Sequence, residues 1–420
     1  MRRLSIALLT QYYPPEIGAP QARMLETARA FARRGHRVTV LTGFPNHPTG
    51  VVPPRWRGRL CGDERTPGIR VRRSWLLATR NRGTVRRTLA HATCAASGLV
   101  RGLSGAGGAD VYVATSPPLF TGLAGLALAR LHRRPFVLDV RDLWPDAFVD
   151  LGLAHEGRVV GAFRRLERTL YRGAARVVPV TASFARRIEA TGIDPSKIEV
   201  VRNGVDLARF PTEPSPETVR DAKRAFGVEG RFVVMYLGAH GLAHGLDRLL
   251  PAAARAGATT TFLFVGEGAE KERLVAQARG IAGADLRFLP GIPRERVPQA
   301  YAAADVCLVS LRGTPLLETF LPSKAFEAFG AWRPVVAAVA GEAKEVLQAG
   351  PGALVVAPGD AEALASEVRG LASDPARASR LGREARARAV REFDRDALAL
   401  GYLRLLDRVV DEDRRARRGA

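Results

Sequence analysis

The segment Pro322-Ser323-Lys324-Ala325-Phe326-Glu327 sets a cation and a carboxylate within one turn of each other at the start of an expected helix. An apolar, strand-like run, Val306–Ser310, leads into it through a loop, so Pro322-Ser323 opens the helix. The free N–H groups and positive dipole end of a helix N-terminus suit a phosphate. Lys324 has the wrong sign for stabilising that first turn, and only five lysines occur in the whole chain. A cation placed against the dipole is expected to serve an anion. Glu327, one turn beyond Ser323 on an otherwise apolar face, has two oxygens with which to accept both hydroxyls of a ribose. A solvated surface lysine and glutamate are the plain alternative.

Two upstream segments fit the same pocket. Phe262-Leu263-Phe264-Val265-Gly266-Glu267-Gly268 is a buried strand ending in Gly-x-Gly, which allows a ligand to approach the backbone closely. Tyr236 to Gly245 carries three glycines with His240 and His244 at a strand-to-helix turn; a plain turn with surface histidines is the alternative. In the first half of the chain, Gly18 follows the first strand, where close backbone approach to a phosphate is useful. Arg141 and Asp142 follow the strand Pro135–Val140, at the ligand-binding edge of a sheet. Asp142 is the candidate for contacting a reacting group and Arg141 for an anion; a structural Arg141–Asp142 ion pair beside Trp144 is the competing reading.

The elements that position these residues alternate. Apolar runs at 4–10, 37–42, 110–115, 135–140, 176–181 and 198–201 are separated by helical patterns near 20–34, 84–104, 118–131, 155–173 and 182–191. Regular strand–helix succession implies a parallel sheet covered on both faces. Residues 44–83 break the rhythm and read as a long loop with a short strand near 69–75. Asn203-Gly204-Val205-Asp206 and the Pro-rich 211–216 mark a linker. Strands then recur near 231–237, 260–265, 285–288, 305–309, 334–338 and 353–356, and three helical patterns close the chain. The expected architecture is α/β: doubly wound, Rossmann-like domains at 1–205 and 206–393 with a cleft between them, and a last helix, 394–420, returning to the first domain.

A chain of 420 residues is too long for one ordinary core. Three scattered cysteines without a CxxC pair argue against a disulfide framework or zinc site and fit a reducing compartment. No stretch reaches the roughly 18 apolar residues of a membrane span, and the first apolar run reads as a buried strand rather than a signal peptide. The net charge of +22 is lopsided: residues 1–206 hold 33 Lys/Arg against 15 Asp/Glu, and 207–420 hold 31 against 27. The first half therefore faces something anionic. Arg80, Arg82, Arg86 and Arg87 precede the weakly apolar helix 88–103, a pattern expected to make peripheral contact with an anionic membrane. A solvated basic face is the alternative.

With these residues in view, the sequence resembles the retaining glycosyltransferases of GT-B family 4, specifically the bacterial O-antigen and colanic-acid (WbuB/WcaI-type) branch. The resemblance runs from Gln11-Tyr12-Tyr13-Pro14-Pro15-Glu16 through Leu41–Gly50, Ala114–Leu119, Arg141–Pro145, Asn203–Asp206 and the His240–Gly245 turn to Pro322-Ser323-Lys324. It implies a nucleotide sugar, in this branch UDP-linked, in the second domain and an acceptor in the first. Retention of configuration, no metal or other cofactor, and front-face attack are implied with it. On that analogy Gly266 and Gly268 flank the nucleotide, Lys324 and the helix N-terminus around Ser323 hold the diphosphate, and Glu327 holds the ribose. The chain departs from the family twice. The family's Glu-x7-Glu has Thr319 at its first position, with Glu318 one place off, and the usual Arg and Lys of the first turn are replaced by Ala239 and His244. His240 or His244 is then expected to contribute a hydrogen bond or, if protonated, charge.

The expected activity is sugar transfer to a polyprenyl-diphosphate-linked or other glycan acceptor in O-antigen, capsule or exopolysaccharide synthesis, at the inner face of the cytoplasmic membrane. Stabilising the departing diphosphate is the main electrostatic task. A sugar-nucleotide 2-epimerase of the same fold is the alternative. A nucleic-acid-binding protein is disfavoured by few aromatics and no binding motif, so no nucleic-acid partner is expected. An NAD-dependent enzyme is disfavoured because Tyr12-Tyr13-Pro14-Pro15 stands where a Gly-x-Gly-x-x-Gly belongs.

Overall fold

The computed structural model describes residues 2–16, 19–47, 49–79, 84–150, 152 and 155–419. Gly18, Arg80 and Arg82 lie outside the described residues. The chain divides into two compact units, Met1–Asn203 with Asp396–Ala420, and Gly204–Arg395. These breaks follow residues 203 and 395, against expected ones after 205 and 393.

The first unit contains β1 (Ser5–Leu9), α1 (Ala19–Arg33), β2 (Arg37–Gly43), β3 (Cys61–Thr66), β4 (Ile69–Ser74), α2 (Thr84–Leu103) and β5 (Val111–Ser116). It continues with α3 (Leu119–Leu131), β6 (Phe136–Val140), α4 (Asp146–Asp150), α5 (Arg158–Gly173), β7 (Arg176–Pro179) and α6 (Ala182–Glu189). The sheet order is β3-β4-β2-β1-β5-β6-β7, parallel except for β3. β5 and β6 are buried along their whole length, as strands covered on both faces must be.

Two expectations for this unit are corrected. The short strand expected near 69–75 is β4, but the stretch before it is not all loop: β3 pairs with β4 in a hairpin, with Cys61 opposite Ser74. The sequence Cys-Gly-Asp-Glu-Arg-Thr shows no apolar run because β3 is a solvent-facing edge strand. Residues 198–201 make only an isolated bridge, Val177 to Ile198, and no strand.

The second unit contains α7 (Pro216–Ala225), β8 (Phe232–Leu237), α8 (Ala252–Arg255), β9 (Thr260–Val265), α9 (Lys271–Arg279), β10 (Leu286–Leu289) and α10 (Val297–Ala303). β11 (Val306–Ser310), α11 (Ser323–Gly330), β12 (Val335–Ala338), α12 (Gly341–Gln348), β13 (Ala353–Val356), α13 (Ala361–Ser373) and α14 (Pro375–Glu392) complete it. Its all-parallel sheet runs β10-β9-β8-β11-β12-β13, so the strand order reverses between β8 and β11.

The last helix, α15 (Arg395–Arg418), packs on the first unit. Its Tyr402, Leu403, Leu405, Leu406, Val409 and Val410 join the core of Leu4, Met24 and Phe31. Each fully buried side chain of this kind contributes about 1.5–3 kcal/mol. The exposed pairs Arg408–Glu199 and Arg176–Glu412 add less than about 1 kcal/mol each. Among the described residues no helix is long and apolar enough to cross a membrane.

Candidate active site

The second unit places its candidate residues where the strand order reverses, the crevice in which ligands of such sheets bind. β8 ends in Tyr236-Leu237 and β11 in Ser310, and the turns behind them are joined. Ser310 Oγ donates to the His244 carbonyl at 2.6 Å, and the Arg312 N–H to the Ala243 carbonyl at 2.9 Å. Lys324, in the first turn of α11, reaches into this junction. Its Nζ donates to Tyr236 Oη at 2.5 Å and lies 4.2 Å from the centroid of that ring. The Tyr236 hydroxyl donates onward to the Ala239 carbonyl at 2.8 Å.

Lys324 keeps some exposed surface, yet protein encloses its ammonium end: a Cβ on Gly238 would stand 2.1 Å from Lys324 Cε. Burial pulls its pKa down to about 7, with Glu327 acting in the opposite direction. One donor of the ammonium is held by Tyr236, leaving two for an anion.

The glycines fit closely, but against the chain itself. A Cβ on Gly266 would lie 1.9 Å from the Gly238 carbonyl oxygen, and one on Gly268 2.2 Å from that of His240. Their absent side chains let the 238–240 turn lie on the end of β9. Lys271 Nζ fastens the same edge, donating to the carbonyls of Gly266 at 2.9 Å and Leu289 at 3.0 Å and to Glu267.

Of the two contributions expected of the histidines, a hydrogen bond or charge, charge is removed by burial. His240 is fully buried among Tyr236, Phe264 and Phe288, and neither ring nitrogen has a hydrogen-bond partner. Burial, with Lys271 and Lys324 nearby, lowers its pKa to about 4; burial and Lys324 take His244 to about 3. Both are neutral at pH 7, so hydrogen bonding is the only role left to them. Lys324 then carries the positive charge at the start of α11. Glu327 is half-buried and accepts from Tyr301 Oη at 3.2 Å. Thr319 ends a short 3-10 turn and donates to the Leu316 carbonyl at 2.6 Å. Tyr236 and Tyr301 were not singled out from sequence, where a tyrosine amid apolar residues reads as core. A cavity of about 630 Å³ lined by Phe210, Glu213 and Trp332 lies past the far end of α11 and shares no residue with this junction.

In the first unit Arg141 and Asp142 follow β6, and the anticipated ion pair is not how Arg141 is used. Its Nη2 donates to the Pro117 carbonyl at 2.8 Å and to Thr115 Oγ1 at 3.4 Å, tying the ends of β5 and β6. Burial lowers its pKa to about 10. Asp142 Oδ1 has no partner, and burial raises that carboxyl to about 6 against the opposing Leu143 N–H and Arg141. Glu167, bonded to Tyr171 Oη at 2.7 Å, is raised by burial to about 7. Two further stretches noted in the sequence meet at Glu16. Its carboxylate accepts the N–H groups of Tyr13, Asn46 and His47, joining the Gln11–Glu16 and Leu41–Gly50 segments.

Residues 18–204 match the model of the glycosyl transferase 4-like domain, and 231–374 that of glycosyl transferases group 1. The 2-deoxystreptamine glucosyltransferase of Streptomyces kanamyceticus is 30% identical over 85% of this chain and 90% of its own. A putative colanic acid biosynthesis glycosyl transferase, WcaI, of Escherichia coli is 25% identical over 85% and 89%. Among solved structures, Anabaena HepE in complex with UDP and glucose aligns with TM-score 0.73 at 19% identity, covering 96% of this chain and 100% of that one. The chain belongs to the family 4 glycosyltransferases of GT-B fold. It is a glycosyltransferase that uses a nucleotide-sugar donor, and the epimerase and nucleic-acid readings are set aside.

Proposed function

We propose that the enzyme transfers a sugar from a UDP-sugar, with retention and without a metal ion, to a polyprenyl-diphosphate-linked or related glycan acceptor. The setting is O-antigen, capsule or exopolysaccharide synthesis, with the protein held peripherally at the inner face of the cytoplasmic membrane. The observation that carries this reading is the Lys324 ammonium, fixed by Tyr236 at the N-terminus of α11.

Breaking the glycosidic bond leaves negative charge on the diphosphate. The ammonium and the N–H groups at the start of α11 are the groups that receive it. Glu327 holds the ribose, with Tyr301 fixing its carboxylate, while Gly266 and Gly268 set the wall of the nucleotide pocket. Neutral His244 supplies a hydrogen bond, while His240 is fully buried and packs the wall of the turn; Thr319 is assigned to the sugar. In the first unit Asp142 is assigned to the donor sugar or the acceptor hydroxyl. Arg141 ties together the ends of β5 and β6 beside it. Similarity to WcaI supports the cell-surface setting, and the HepE complex supports UDP.

A binding screen against UDP-, GDP-, ADP- and dTDP-sugars tests the donor. Preference for a UDP-sugar is expected, and exclusive binding of another base refutes that part. NMR of the product then reads the anomeric outcome, and activity that survives EDTA is expected.

A further inference from the structure

We propose that the outer face of α2, with the chain segments lying along it, docks on an anionic lipid bilayer. The inference rests on the membrane-linked acceptor proposed above and supplies the surface that reaches it. α2 is apolar on two sides. Its inner side, Ala90, Cys94 and Gly102, is buried, and at Gly102 a Cβ would stand 2.4 Å from Leu128 of α3. Its outer side carries Val85, Leu89, Val100 and Leu103, which are 73%, 48%, 67% and 49% exposed.

Their spacing of three, four or eleven residues keeps them on one stripe of the helix. The chain leaving β4 lies against the same stripe: the Leu77 N–H donates to Thr93 Oγ1 at 3.0 Å, and Ser97 Oγ donates to the Trp75 carbonyl. Trp75 and Leu77 are themselves exposed, and the Trp75 N–H donates to the carbonyl of Leu60, which is 77% exposed. These contacts set Leu60, Trp75 and Leu77 beside the middle of the α2 stripe. Scattered exposed apolar residues need no explanation, but a contiguous patch does.

Charge identifies the occupant. Residues 51–103 hold twelve arginines and two acids, Asp63 and Glu64. Asp63 is engaged by Arg70 and Arg101, and Glu64 by Arg55 and Arg73, so neither acid neutralises the exposed Arg57, Arg59, Arg65 and Arg86. An apolar stripe rimmed by cations suits anionic headgroups above acyl chains. A second copy of the chain would bring the same positive rim against itself. α2 follows β4, so its Val85 end stands at the C-terminal edge of the parallel strands, beside the loops that carry the candidate residues of this unit. His91 Nδ1 lies 2.7 Å from Gln11 Oε1 of the loop after β1, which fixes the helix to that edge.

The full-length protein is sedimented with vesicles of phosphatidylcholine alone and of equal parts phosphatidylcholine and phosphatidylglycerol. Binding to the mixed vesicles that weakens with salt is expected. Leu89→Asp and Val85→Asp should each lower the partition coefficient roughly tenfold or more. Arg86→Gln should lower it by about fivefold on the mixed vesicles. Nucleotide-sugar binding and melting temperature, read on the same preparations, should not change. Loss of nucleotide-sugar binding in the parent protein would count against the donor reading and leave the docking result standing. Failure of the parent to bind mixed vesicles, or equal binding by Leu89→Asp, overturns the docking proposal. So does a parent protein that dimerises through this face and becomes monomeric with Leu89→Asp.

Discussion

The Lys324 ammonium donates to the Tyr236 hydroxyl at 2.5 Å, and that hydroxyl donates to the Ala239 carbonyl at 2.8 Å. This relay fixes a cation at the start of α11 although the helix dipole and its own burial both disfavour it. An arrangement that costs stability in the free protein is understandable if an anion arrives to complete it.

Gly238 is the nearest test of that placement. A Cβ there meets the far end of the Lys324 side chain, which can move, at a backbone φ of +148°. Gly238→Ala should cost about 1–3 kcal/mol, and the protein should remain folded. Nucleotide-sugar affinity should nevertheless drop with the displaced ammonium. Calorimetric binding beside a thermal melt separates the two effects; parental affinity would show that the position of Lys324 is immaterial.

Donor binding should depend on pH with a definite sign. The free enzyme's Lys324 loses its proton through about 7, below the usual amine range, because of burial. A bound diphosphate favours the protonated form, so affinity should fall as pH rises above about 7, by at most roughly tenfold per unit. At about pH 8, calorimetry in buffers of different ionisation enthalpy should read net proton uptake. Flat affinity across this range with no uptake would contradict a titrating Lys324.

Asp142→Asn should lower kcat about 10²- to 10⁴-fold and leave donor affinity nearly unchanged. Because burial raises the parent carboxyl to about 6, activity should decline as pH falls through that value. Parental turnover in Asp142→Asn removes the residue from the chemistry.

Glu167 offers a stability test apart from catalysis. Its folded-state pKa is raised by burial to about 7, so the folded state holds a proton that the unfolded chain releases near 4.5. Stability is therefore lost as pH rises from about 4.5 to 7 and stays lower above it. Glu167→Gln keeps a hydrogen-bonding partner for Tyr171 and cannot ionise. It should be more stable than the parent at about pH 8 by some 1–3 kcal/mol, with no difference at about pH 4. Denaturant melts at both pH values check this; equal stability at the higher pH would show that Glu167 is not held in a disfavoured charge state.

How much of this was legible in the sequence varies with the physics. The strands of the second unit stood out because buried parallel strands must be apolar on both faces. Lys324 stood out because a rare lysine occupied a helix start. β3 did not, since an edge strand facing solvent has the composition of a loop. Tyr236 and Tyr301 were hidden in apolar runs, their hydroxyl partners lying 88 and 26 residues away along the chain. The neutrality of His240 depends on Phe264 and Phe288 from neighbouring strands, an enclosure that local sequence does not encode.

Lys324→Met tests the central claim most directly. A diphosphate that loses its charged hydrogen bonds to this ammonium should bind about 10- to 100-fold more weakly, corresponding to roughly 1.5–3 kcal/mol. The unliganded variant should melt at or above the parent temperature, because a disfavoured buried ammonium is gone. Calorimetric titration of the nucleotide sugar into both proteins, with their melting curves, reads both effects. Parental affinity in Lys324→Met, or a loss of stability with no loss of binding, would contradict the assignment of Lys324 to the donor diphosphate.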